Sequence, residues 1–231
     1  MRIFVESLRA GELTITGDEH HYLGRVRRVR IGDAVELVDG AGNRANGVIT
    51  GMTDGSTTFT VGEAEQVVEA PPWIRVLLPL IKGDRMDTAI EKLVEVGASE
   101  LIVWQAEHSI VRLDAKKVEA RVAHYQGVAE AAARQCGRAR VPMVTYAPTL
   151  QALLRGLPAG ERFMLDPTAG PAEVHAAEVT LISGPEGGFG WLEIEQLVTA
   201  GFVGFGLGPR VLRAETAPVV ATALIRSRTG S

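Results

Sequence analysis

The chain has a single cysteine, Cys136, in 231 residues. An internal disulfide is therefore excluded, and a reducing, cytoplasmic setting is expected. Apolar runs are all far shorter than the roughly 20 residues a membrane-spanning helix needs. At Met1-Arg2-Ile3-Phe4-Val5-Glu6, charges interrupt the apolar residues and no long apolar region follows. A secretory leader and a membrane partner are accordingly not expected. No repeat occurs at solenoid spacing, and no tract is compositionally biased. Basic charge is not in excess either: 24 Lys+Arg stand against 28 Asp+Glu, a formal net charge of −4. Attraction to nucleic acid must then come from a local patch. No Cys/His spacing suits a metal, so none is expected.

What is present is an ordinary globular composition, 46% hydrophobic and 23% charged. The length allows one large domain or two small ones. Residues 1–70 read as a small β-rich barrel or sandwich. Short β-prone runs at 2–5, 12–16, 34–38, 45–49 and 57–61 alternate with turn chemistry such as Asp39-Gly40-Ala41-Gly42-Asn43. One helical stretch interrupts them, with Asp18 as a cap and Tyr22, Leu23 and Val26 as its apolar stripe. His20 and His21 read as cap or packing residues. Arg25, Arg27, Arg28 and Arg30 follow, with no acid between positions 20 and 32. This basic cluster sits in a segment that otherwise carries more acids than bases, and it reads as a phosphate-contacting edge.

Glu69-Ala70-Pro71-Pro72 reads as a linker, since a Pro-Pro pair stiffens the chain and stops a helix. Beyond it the pattern changes to strands alternating with helices. Strands are expected at 73–81, 101–104, 162–165, 179–183 and 202–207. Helices are expected at 87–96, 114–135, 191–200 and 214–228. Trp73 and Trp104 fall in buried strand runs, and Cys136 reads as an inert core thiol beside an apolar stripe. Alternation of this kind predicts an α/β fold with a mostly parallel sheet covered on both faces. Ligands of such sheets bind outside the carboxyl ends of the strands.

Two loops rich in glycine and proline fall at such ends: Ile182-Ser183-Gly184-Pro185-Glu186-Gly187-Gly188-Phe189-Gly190 and Leu207-Gly208-Pro209-Arg210-Val211-Leu212-Arg213-Ala214-Glu215-Thr216. Neither is followed by the Gly-Lys-Ser/Thr of a P-loop, and neither has Gly-x-Gly-x-x-Gly. Nucleoside triphosphate and nicotinamide cofactors are disfavoured on that ground. A crevice of backbone groups with one Glu suits a neutral or cationic ligand, such as an adenine edge or a sulfonium.

The two loops together resemble the paired signature of the 16S ribosomal RNA uracil-N3 methyltransferases, a family of the trefoil-knotted SPOUT superfamily. Further stretches resemble it in the same order: His20-His21-Tyr22-Leu23 through Arg28 to Gly32-Asp33, Lys82-Gly83-Asp84-Arg85-Met86, Glu91 to Gly97, and Gln135-Cys136-Gly137-Arg138. The chain departs from the pattern at Glu107-His108-Ser109 and at Arg134. The resemblance implies an N-terminal PUA-like RNA-binding β-barrel at 1–70. It also implies a C-terminal knotted methyltransferase domain at 71–231, assembled as a homodimer. It implies S-adenosylmethionine as methyl donor and 16S rRNA of the small ribosomal subunit as acceptor. The donor site would comprise Ile182, Gly184, Glu186, Gly187, Gly188, Leu207, Gly208, Pro209, Arg210 and Leu212. Arg213 would stabilise charge on the uracil, and Glu215 would orient Arg213 or accept a proton. Arg25, Arg28, Lys82, Arg85 and Arg138 are the candidate RNA contacts. The competing readings are a SPOUT enzyme for another RNA position and an RNA-binding module without catalysis.

Overall fold

The computed structural model describes residues 1–21, 23, 29–109 and 111–229, with only the backbone of Asp18, Ala115 and Thr229. The chain divides into two compact units. One comprises Met1–Glu69 with Ala133–Val141, the other Ala70–Ala132 with Pro142–Ser231.

The first unit contains β1 (Arg2–Phe4), β2 (Gly11–Thr16), α1 (Gly17–His21), β3 (Ala34–Val38), β4 (Asn43–Met52), β5 (Ser56–Val61) and β6 (Glu65–Gln66). The strands form one mixed sheet in the order β1-β3-β4-β5-β2, with β6 on β4. β1 runs parallel to β3, and the other pairs are antiparallel. Alternation along these strands sends one face inward. Ile3, Val35, Leu37, Ala45, Ile49, Phe59 and Val61 meet in a single core, joined by Leu13 and Ile15 of β2. Both edge strands thus pack on the same cluster, which requires the sheet to curl around it.

His20 is a packing residue, as expected. It is buried, with Nδ1 2.9 Å from the Thr57 hydroxyl and Nε2 3.2 Å from the Asp54 carbonyl. Leu23 enters the core. Tyr22, Val26 and the arginines at 25, 27 and 28 lie outside the described residues. Residues 133–141, remote in sequence, belong to this unit. The Val141 N–H donates to the Gly40 carbonyl, and the Gly42 N–H to the Ala139 carbonyl. Arg134 pairs with Glu19 and lies over the Phe4 ring. Cys136 is exposed, contrary to the expected core thiol. It ends its helix, and Gly137 at φ +80° turns the chain away.

The second unit contains β7 (Trp73–Pro79), α2 (Arg85–Glu95), β8 (Glu100–Trp104), most of α3 (Val118–Cys136), β9 (Met143–Ala147), α4 (Leu150–Arg155), β10 (Glu161–Leu165), β11 (Glu178–Ile182), α5 (Trp191–Thr199), β12 (Val203–Phe205) and α6 (Ala217–Thr229). The sheet is parallel throughout, in the order β12-β10-β11-β7-β8-β9. Sequence periodicity did not reveal β9 or α4, which are short. β7 is buried almost completely, as a strand covered on both faces must be. α2 directs Met86, Ala89, Ile90, Leu93 and Val94 inward.

The order reverses between β7 and β11, which is where open α/β sheets place their ligands. β12 lies at the sheet edge, yet α6 packs on α2 and β7 near the middle. The chain must therefore cross back over the ends of β10 and β11. It does so against residues 166–170. The Gly206 N–H donates to the Gly170 carbonyl at 2.8 Å, and a Cβ at Gly206 would stand 1.9 Å from the Ala169 carbonyl oxygen. Only glycine fits there. This backbone contact is the kind of close crossing that the expected knot requires.

Gly206→Ala should therefore destabilise the protein by about 3 kcal/mol, the upper end of overpacking costs, because backbone rather than a movable side chain blocks the new methyl. Gly127, inside α3, meets nothing within 4 Å. Gly127→Ala should stabilise by about 0.5–1 kcal/mol. Urea unfolding of both variants checks the pair.

Candidate functional site

Three neighbouring strands end in loops that meet around a cavity of about 660 Å³. The volume lies within the range of small-molecule sites. After β10 come Asp166-Pro167-Thr168. After β11 come Ser183, Gly184, Pro185, Glu186 and Gly188. After β12 come Leu207, Gly208 and Arg210 to Ala214. Arg85, at the start of α2, contributes from beyond β7. The wall is largely apolar, with Met164, Phe189, Ile194, Phe205 and Leu207 among its residues.

Local sequence explains the loop shapes. The Gly188 N–H closes a turn onto the Pro185 carbonyl at 2.9 Å, and Gly188 has φ +74°, a conformation that favours glycine. Phe189 then stacks on Trp104, with ring centroids 6.3 Å apart. Glu193 fixes the far end of the loop. Its buried carboxylate accepts the Gly190 N–H at 2.9 Å and the Glu107 N–H at 2.8 Å, joining the loops after β11 and β8. Asp166 Oδ1 accepts from both the backbone N–H and the hydroxyl of Thr168, which shapes the third loop.

Charges at the cavity alternate in sign. Arg85 lies 3.5 Å from Glu186 and 4.0 Å from Glu215, and Arg213 lies 3.8 Å from Glu215. The Glu215 side chain is 13% exposed, whereas that of Arg213 is 77% exposed. One Glu215 oxygen, Oε2, is buried without a hydrogen-bond partner. The Arg213 carbonyl accepts the N–H groups of Thr216 and Ala217 and so starts α6. The arrangement can take a small molecule with an apolar body and a charged end, and it sets a solvent-reaching guanidinium beside a sheltered carboxylate.

Of the residues named from sequence, Gly184, Glu186, Gly188, Leu207, Gly208, Arg210, Leu212 and Arg213 line the cavity. Ile182 does not: it is buried with Leu77, Trp104 and Leu197 behind the loop. Gly187 packs against His108 instead, and Pro209 is not in the wall. Glu215 stands behind Arg213 as its ion partner. Arg85, a candidate RNA contact, is ion-paired with two carboxylates. Arg138 is also committed: Glu69 holds it in a paired contact at 2.7 Å, and its side chain is only 12% exposed. Lys82 is exposed. Arg25 and Arg28 lie outside the described residues. Sequence reasoning missed the whole β10 loop, although Asp166-Pro167 directly after an expected strand was a legible turn signal. It also missed Glu193, whose spacing of three from Gly190 is that of a capping box. Among the described residues no cluster of His, Cys, Asp and Glu could hold a metal, and no helix is long and apolar enough to cross a membrane.

Comparison with known proteins agrees with this geometry. Residues 68–226 match an RNA methyltransferase domain, and residues 15–61 match an RNA methyltransferase PUA domain. The chain is 33% identical over 217 residues to ribosomal RNA small subunit methyltransferase E of Mycobacterium tuberculosis, covering 90% of this chain and 83% of that protein. It is 30% identical over 247 residues to the Bacillus subtilis protein of the same name, covering 99% and 96%. The crystal structure of ribosomal RNA small subunit methyltransferase E from Neisseria gonorrhoeae bound to S-adenosyl methionine is similar at a TM-score of 0.84. That chain is 28% identical, with coverage of 98% of this chain and 97% of that one.

The Arg85 pairs are partly exposed, so Arg85→Ala should cost no more than about 1 kcal/mol of stability. Arg85→Glu would gather three acids in one place and should cost clearly more. Urea unfolding at low and high salt checks this, and the Arg85→Glu penalty should shrink as salt rises.

Proposed function

The chain belongs to the ribosomal RNA small subunit methyltransferase E family, and we propose that it methylates N3 of one uridine in 16S rRNA of the small ribosomal subunit, with S-adenosylmethionine as donor. The observation that carries this reading is the cavity at the carboxyl ends of β10, β11 and β12. It joins an apolar wall to an ion-paired rim of the kind a nucleoside carrying a charged amino acid needs. An unpartnered hydroxyl at its edge, Ser183 Oγ, adds a neutral polar group that a nucleoside can satisfy. Backbone at Gly184, Gly188, Leu207, Gly208 and Leu212 would hold the donor, with Glu186 and Arg210 at its charged end. Bound there, S-adenosylmethionine supplies an electrophilic methyl group on a sulfonium.

The acceptor must be unpaired and turned toward the cavity, because N3 lies on the Watson–Crick edge. Loss of the N3 proton spreads negative charge onto the flanking uracil carbonyls. Arg213, exposed at the cavity, would stabilise that charge. Glu215, sheltered beside it, orients the guanidinium and is the candidate proton acceptor. Alignment of acceptor and donor in one cavity can contribute about 7–11 kcal/mol. The unit of Met1–Glu69 with Ala133–Val141 would serve as the PUA-like RNA-binding domain, and the unit of Ala70–Ala132 with Pro142–Ser231 as the methyltransferase domain. RNA phosphates would be met by Arg25, Arg28 and the exposed Lys82. The setting is the cytoplasm.

A second copy of this chain is the proposed partner. α5 leaves Trp191 and Val198 exposed on one side, 74% and 57% accessible, while Leu197, about 100° further round the helix, is buried. Trp191→Glu combined with Val198→Glu should convert a dimer to a monomer in sedimentation velocity. For the reaction, mass-spectrometric mapping of 16S rRNA from a deletion strain should reveal one uridine that has lost its N3 methyl group. Arg213→Ala should retain donor binding by calorimetry yet lower single-turnover methylation by about 10²–10³-fold. Wild-type rates in that variant would remove Arg213 from the mechanism. Donor binding without transfer to any rRNA would favour a non-catalytic RNA-binding module.

A further inference from the structure

Ser183 stands between β11 and Gly184 and lines the cavity. It is 2% exposed, and its Oγ has no hydrogen-bond partner. Its backbone is not the cause, since its N–H donates to the Leu77 carbonyl at 3.2 Å. A buried hydroxyl without a partner is unfavourable unless something else completes the bond. The strand register identifies its surroundings. Ile182 pairs with Met164, so Ser183 adjoins Leu165, which in turn pairs with Phe205. Leu165 and Phe205 both line the cavity. The orphan hydroxyl therefore lies beside the apolar ends of β10 and β12, with Asp166 the next residue along the cavity wall.

We propose that the Ser183 hydroxyl hydrogen-bonds the nucleoside half of the methyl donor and helps set its affinity. The inference rests on the methyl-donor reading above. The charged half of the donor has its complement in Glu186 and Arg210, which line the cavity, Glu186 being itself paired with Arg85. A neutral hydroxyl among apolar residues instead matches a neutral partner: an adenine edge atom or a ribose hydroxyl. Ser183 can serve either, because it both donates and accepts.

Calorimetry with three probes tests this. S-adenosylmethionine and S-adenosylhomocysteine carry both halves, whereas 5′-methylthioadenosine lacks the amino acid. Ser183→Ala should weaken all three by about three- to tenfold relative to wild type. Ser183→Cys, similar in size but a weak donor, should behave like Ser183→Ala. Without ligand, Ser183→Ala should unfold at the wild-type temperature or above it, since it removes an unsatisfied group and breaks no bond. Affinity and stability thus move in opposite directions, which a purely structural serine would not produce. Unchanged affinity for all three probes would overturn the proposal, as would a loss confined to the two that carry the amino acid. If the wild-type protein bound none of the three, the methyl-donor reading itself would fall, and this contact with it.

Discussion

The second unit depends on one backbone contact. Gly206 passes so close to the Ala169 carbonyl that no side chain can stand between them. The hydrogen bond from Gly206 to Gly170 closes the same contact. Because of it, the chain leaving β12 can return across the ends of β10 and β11 to reach α6. The return path brings Leu207–Ala214 opposite Ser183–Phe189. Without the crossing, these two loops would end at separate points along the sheet edge and enclose nothing.

With the loops opposed, the chemistry of the cavity follows from what each carries. The apolar residues that end β10 and β12 give it an uncharged wall. The acids sit one in each crossing loop, and Arg85, from a third element, lies between them. Three elements thus share one ion-paired cluster. Each pair is partly exposed, so the cluster adds little to stability. What it supplies is charge at fixed positions around a site where a cationic ligand and an anionic acceptor are expected to meet. PUA-type and SPOUT-type units in one chain fit that division of labour between holding RNA and modifying it.

Much of this was legible in the sequence. Alternating strands and helices, the Pro-Pro linker and the near-continuous apolar run at 73–81 announced a parallel sheet after a β-rich start. The glycine-rich loops announced the site, because glycine there is demanded by backbone geometry that few other residues meet. Gly188 at positive φ is a direct instance. The side chains were harder. Arg85 and Arg138 read as candidate RNA contacts, and sequence does not reveal that Glu186, Glu215 and Glu69 will reach them. Cys136 read as a core residue because the stripe of α3 was extended one turn too far.

The sequence by itself determined the order and type of the longer elements, though not of β9 and α4, and the positions where backbone conformation is restricted, since both depend on neighbours a few residues away. Only the tertiary structure decided which loops face each other, which charges are neutralised and which hydroxyl is left without a partner. Those outcomes depend on atoms far apart in the chain. The segment Ala133–Val141 joining the first unit, and Gly206 lying against Ala169, are contacts that no local pattern encodes.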